Sequence, residues 1–124
     1  MKHTILVVDD EQAIREGVRD LLEDNQYQTM LAESGEACLN QLQTEAAGVI
    51  DAVLLDIWLP GIDGIEVLKS IKQMRPALPV IMLSGHGSIE TAVTATKHGA
   101  YHFVEKPFSD ETILLTLTNA LRLN

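Results

Sequence analysis

Cysteine is nearly absent from this chain: Cys38 stands alone among 124 residues. A lone thiol excludes an internal disulfide and leaves no second thiol for a metal centre, so Cys38 is expected to be an inert helix residue. Basic residues are also scarce. Nine Lys and Arg against 18 Asp and Glu give a formal net charge of −9, and the nine are scattered rather than gathered in a stripe. Such a surface repels a phosphate backbone, which argues against direct nucleic-acid binding by this chain. Long apolar runs are missing as well. None approaches the roughly 20 residues of a membrane span, and the N-terminus lacks a signal peptide's apolar stretch and cleavage site. A cytoplasmic location without membrane contact is the expectation. Internal repeats, low-complexity tracts and linker-like stretches are absent too.

What is present is an ordinary globular composition, 46% hydrophobic and 22% charged. The length suits one domain, read here as residues 1–124, which can bury roughly two thirds of its unfolded surface. Short β-branched or Leu-rich runs, punctuated by acids or by Gly and Pro, alternate with stretches of helical period. That is the pattern of β-α units on a parallel sheet. Strands are predicted over 4–8, 28–31, 52–55, 79–83 and 102–104. The first, third and fourth are apolar almost throughout, as in a sheet covered on both faces. Between and after them, apolar residues recur at helical spacing: Ile14, Val18, Leu21 and Leu22; Ala37, Leu39 and Leu42; Ile65, Val67, Leu68 and Ile71; Ile89, Ala92, Val93 and Thr96; Ile113, Leu114, Leu117 and Leu121. These stripes are expected to be core. Asp63 with Glu66 reads as a helix start, and Lys97 and His98 before Gly99 as a helix end.

A doubly wound sheet places its functional crevice at the carboxyl ends of the strands, where the strand order reverses. Asp9 and Asp10, Asp56, Ser84 and Lys106 would converge there. Carboxylates crowded at one point raise each other's pKa unless a cation joins them. An all-oxygen cage suits Mg²⁺, which commonly shares its shell with phosphate. Lys106 adds a second positive charge and Ser84 a hydroxyl donor, so the set could neutralise a transferring phosphoryl group. Asp56, at the mouth of the central strand, is placed to be the nucleophile.

Plainer readings exist for each residue alone. Asp10 could be a helix cap or turn former, and Lys106 before Pro107 a solvated charge in loop punctuation. "SGHGSIE" does not pass as a phosphate loop: Glu90 stands where a dinucleotide fingerprint needs its third glycine, and no Gly-Lys-Ser/Thr is present. Gly85 is read instead as leaving room for a phosphoryl group beside Ser84. His3, His86, His98 and His102 lack paired metal-ligand spacing and read as surface or turn residues.

The acidic pair in "VVDDE" with "LLDIWLPGIDG", "MLSG" and "EKPF", in this order, resembles the signature segments of a response-regulator receiver domain, over essentially the whole chain. "SGHGSIETAVTATKHGAYHFVEKPF" further resembles receivers of the NtrC/NtrX type. The resemblance implies a flavodoxin-like (βα)5 fold with strand order 2-1-3-4-5. It makes Asp56 the phosphoacceptor, Asp10 a direct Mg²⁺ ligand, Asp9 a ligand acting mostly through water, and the Trp58 carbonyl a further ligand. Ser84 and Lys106 would contact the phosphoryl oxygens, and Phe103 would be the switch aromatic, without the phenolic oxygen of the Tyr found in many relatives. It also implies a sensor histidine kinase as partner and a signalling role rather than an enzyme's. A homodimer through the helix 4–strand 5–helix 5 face is a further expectation. So are an AAA+ ATPase and a helix-turn-helix domain in a longer transcription regulator.

Two rival functions are weighed. A haloacid-dehalogenase-type phosphatase needs a second acid two residues after the nucleophile, where Trp58 stands, and a cap domain for which the chain has no room. A receiver-like interaction module that is never phosphorylated would not need the full set of acceptor-site residues.

Overall fold

In the computed structural model, which describes residues 2–44, 48–85 and 89–122, strands and helices alternate along the chain. They are β1 (Thr4–Val8), α1 (Gln12–Asp24), β2 (Gln28–Ala32), α2 (Gly35–Gln43), β3 (Ile50–Asp56), α3 (Gly64–Met74), β4 (Val80–Ser84), α4 (Ile89–Lys97), β5 (His102–Glu105) and α5 (Asp110–Arg122). All strand pairings are parallel, in the order β2-β1-β3-β4-β5. The chain steps from β1 to one side for β2 and returns past β1 for β3. The reversal therefore lies between β1 and β3, the crevice a doubly wound sheet offers to ligands.

Alternation along the strands divides the core in two. Leu6, Val8, Val53, Leu55, Val80 and Met82 pack with Cys38 and Leu42 of α2, Val67, Leu68 and Ile71 of α3, and Ala95 of α4. Ile5, Val7, Ala52, Leu54, Ile81, Leu83 and Val104 face Val18 and Leu22 of α1 and Ile113, Leu117 and Ala120 of α5. Each central strand is thus apolar on both faces, which is why its sequence shows no alternation. Cys38 is buried, and burial pushes its thiol up to about 12, consistent with an inert residue.

The helix punctuation follows the sequence. The Asp63 carboxylate accepts the Glu66 N–H at 3.0 Å as the cap of α3. Gly99, after the end of α4, has φ +99°, a left-handed conformation that glycine adopts without a Cβ clash. Strand limits differ from expectation. β3 starts at Ile50, where the Asp51 carboxylate accepts the Thr4 N–H at 2.8 Å, and it ends with Asp56 inside the ladder opposite Leu83. β2 and β5 each run one residue further, to Ala32 and Glu105. β4 begins at Val80, because Pro79 has no N–H to give the ladder; its carbonyl still accepts from Val53 at 3.0 Å.

One stripe is not core. Ile89 and Val93 of α4 are 86% and 47% exposed, and only Ala95 of that helix is buried. Helical periodicity marks an apolar face without stating whether the fold covers it. Among the described residues, no helix is long and apolar enough to cross a membrane.

Candidate functional site

β1 delivers Asp9 to the crevice, its N–H still bonded to the Ala32 carbonyl at 3.2 Å. The Asp9 side chain is wholly buried and firmly held. One carboxylate oxygen accepts the Glu11 N–H at 2.9 Å, and the other accepts from the Lys106 ammonium at 2.8 Å. Arg15, one turn into α1, donates to the Asp9 backbone carbonyl at 2.8 Å. Asp10 is exposed.

Asp56, the last residue of β3, is 3% exposed and much more loosely held. Its nearer contacts are the Trp58 N–H at 3.4 Å and Lys106 Nζ at 3.7 Å. Burial pushes its carboxyl up to about 6, the Asp9 charge adds to the rise, Lys106 and the Trp58 N–H oppose it, and Asp10 adds a little more. For Lys106, burial alone would lower the ammonium's pKa. The hydrogen bond and charge of Asp9, with the charges of Asp56 and Glu11, outweigh burial and leave it raised, so Lys106 stays a cation.

Packing of α3 against the end of β3 fixes where Asp56 sits. A Cβ on Gly64 would collide with the Asp56 backbone carbonyl and come within 2.6 Å of Ile57 Cα, so only glycine fits this crossing. The Gly64 N–H bonds the Ile57 carbonyl at 2.9 Å, and the Ile57 N–H bonds the Leu83 carbonyl at 2.9 Å.

Ser84, wholly buried, ends β4, and its carbonyl accepts the Lys106 N–H at 2.7 Å. The strand-end serine and the lysine are thereby tied into one edge of the site. The Lys106–Pro107 peptide bond is cis. Among the described residues, a Cβ on Gly85 would come no closer than 3.9 Å to the Lys106 stem. Phe103 is half-buried against the core layer that includes Met82 and Ala95. Trp58 is half exposed at the rim.

The site thus gathers Asp9, Asp10, Asp56, Ser84 and Lys106, the residues expected from strand ends. Carboxylate oxygens of Asp9, Asp10 and Asp56 lie within 4.8 Å of one another, an all-oxygen set that fits a hard divalent cation. Asp9 already shares one oxygen with Lys106, which leaves Asp10 and Asp56 the freer ligands. His3, His98 and His102 are exposed and join no metal-ligand group among the described residues; His86 and Gly87 lie outside those residues. Arg15 was not foreseen. Its only trace in the sequence is a basic residue four positions after Glu11, at the opening of α1.

A model of the response regulator receiver domain matches residues 5–118. The chain belongs to the receiver-domain family of two-component response regulators. It is 45% identical over 123 residues to the nitrogen assimilation regulatory protein NtrX of Azorhizobium caulinodans, covering 98% of this chain and 26% of that protein. It is 36% identical over 121 residues to the transcriptional regulatory protein FixJ of Bradyrhizobium diazoefficiens, covering 98% and 58%. The solved receiver domain of NtrX from Brucella abortus superposes with a TM-score of 0.89 at 44% identity, covering 97% of this chain and 99% of that one. This receiver domain spans about a quarter of the length of the NtrX-type relatives it matches. Its family is one of signalling modules, and its relatives include transcription regulators.

Proposed function

We propose that residues 1–124 form the receiver module of a longer transcription regulator and that Asp56 accepts its phosphoryl group. The donor is a phosphohistidine on a sensor histidine kinase, or a small acyl phosphate. An Asp56 carboxylate oxygen attacks phosphorus as the bond to the leaving nitrogen or oxygen breaks. The reading rests chiefly on one contrast: Asp56 is as buried as Asp9 and within 3.7 Å of the same ammonium, yet no short bond among the described residues ties it down. Lys106 and the Ser84 hydroxyl receive the phosphoryl oxygens, whose transfer needs charge stabilisation more than covalent help. Asp10, Asp56 and the Trp58 carbonyl would hold Mg²⁺, with Asp9 acting through water, and the ion would offset charge on both carboxylate and phosphoryl group. The domain assists only its own phosphorylation and dephosphorylation.

A phosphoryl group carries nearly two negative charges and gives Ser84 a strong acceptor. Ser84 moves toward it, Phe103 follows into the space released, and the α4–β5–α5 face changes its binding preference. That face, with Ile89, Val93 and Leu115 exposed, serves a homodimer or the AAA+ and DNA-binding domains that follow in a longer chain. The acidic receiver itself binds neither nucleic acid nor membrane and works in the cytoplasm. Acetyl phosphate with Mg²⁺ is expected to add one phosphoryl group, seen by intact-protein mass spectrometry, and to add none to Asp56→Asn. Equal incorporation in the variant overturns the assignment.

A further inference from the structure

Beside the phosphoacceptor pocket lies a separate open groove of about 420 Å³ between the loop after β3 and the first turns of α4. Ile57 and Ile65 supply apolar surface, Trp58 an aromatic one, and Asp63 and Glu90 two carboxylates; among the described residues no Lys or Arg lines it. Asp63 spends one oxygen on its helix cap and keeps acceptor capacity on the other. Glu90 has no ion-pair partner among the described residues. Trp58, 53% exposed, leaves much of its indole open.

An apolar lining, one open aromatic face and a pair of carboxylates are together complementary to one kind of side chain. It must have an aliphatic stem, a flat face and a positive end. We propose that this groove seats an arginine side chain presented by a protein partner, its stem against Ile57 and Ile65, its guanidinium on the Trp58 ring and facing Glu90. Arginine is favoured over lysine because the planar guanidinium can stack and donate at once, whereas an ammonium is a compact, strongly hydrated charge. Charge complementarity extends beyond the groove, since the whole chain carries −9. The groove is distinct from the acceptor pocket, and its occupancy does not require that Asp56 be phosphorylated.

Trp58, the single tryptophan, reports on the groove directly. The probes are N-acetyl-arginine amide, its lysine analogue and its uncharged norleucine analogue, titrated with Mg²⁺ saturating so that the guanidinium does not compete for Asp9, Asp10 and Asp56. Arginine amide is expected to change Trp58 fluorescence and the indole N–H resonance saturably in the millimolar range, lysine amide more weakly, and norleucine amide not at all. Glu90→Gln, an exposed substitution, should weaken the arginine response about two- to fivefold, as an exposed charge contact warrants. Phosphoryl incorporation, measured on the same samples, reports the acceptor site independently. Equal binding of norleucine and arginine amides, an unchanged titration in Glu90→Gln, or no saturable response overturns the proposal.

Discussion

The ends of β1 and β3 carry the same residue type in the same crevice, at 0% and 3% exposure, and treat it in opposite ways. Asp9 is bound on both carboxylate oxygens at 2.8 and 2.9 Å. Among the described residues Asp56 has its contacts at 3.4 and 3.7 Å, and its carboxyl is pushed up to about 6. One lysine makes the difference, because Lys106 leans to Asp9 and only overlooks Asp56. A buried carboxylate with its lone pairs committed is an anchor. A buried carboxylate left short of partners is one whose charge a metal or a phosphoryl group can still rearrange.

The severest way to break that contrast is to remove the shared cation. Lys106→Met leaves the buried Asp9 carboxyl without its partner and takes away the positive charge that faces Asp56. Phosphorylation by acetyl phosphate should slow by about a hundredfold or more, the loss found when one preorganised charge-stabilising donor is removed. Stopped-flow Trp58 fluorescence or timed mass spectrometry measures it. A rate within a few-fold of the unaltered protein would mean that Lys106 serves Asp9 alone.

A smaller effect sharpens the metal side of the comparison. With one Asp9 oxygen held by Lys106, the exposed Asp10 should carry more of the Mg²⁺ binding than its buried neighbour does. Asp10→Ala is expected to weaken Mg²⁺, followed by Trp58 fluorescence, by about tenfold or more. Identical titrations would place the ion elsewhere.

Much of this was legible because each reacting side chain ends a strand. Apolar runs at β1, β3 and β4 announce strands covered on both faces, and the residues that stop those runs, Asp9, Asp56 and Ser84, are the ones the crevice collects. Asp63 with Glu66 and the turn at Gly99 were readable for the same reason: their chemistry is local. The asymmetry between Asp9 and Asp56 was not, since it depends on which way Lys106 reaches from a position 97 residues from Asp9. Nor was the Gly64 crossing, whose demand for glycine comes from the backbone of β3. The α4 stripe misled because Ile89 and Val93 have the right spacing for a core they do not enter.

The mildest test concerns stability and follows from the looseness of Asp56. Its carboxyl ionises near its ordinary 3.8 in the unfolded chain and at about 6 in the fold. Above pH 6 both states are ionised, and the folded state carries the full cost of the buried charge. As pH falls from 6 toward 4 the folded protein takes up a proton before the unfolded chain does, so this group's contribution to stability rises as pH falls and is lost as pH rises. Asp56→Asn removes the cost at neutral pH. In Mg²⁺-free buffer at pH 7.5 it should be more stable than the unaltered protein by about 1 to 3 kcal/mol, several degrees in a melt. The gap should close between pH 6 and 4, and Mg²⁺ at pH 7.5 should narrow it by stabilising the unaltered protein more. Other titrating groups are common to both proteins and cancel in the difference. A gap that stays constant from pH 7.5 to 4, or an Asn variant that is the less stable at every pH, would mean that the fold bears Asp56 as comfortably as it bears Asp9, and the contrast between the two strand ends would lose its energetic basis.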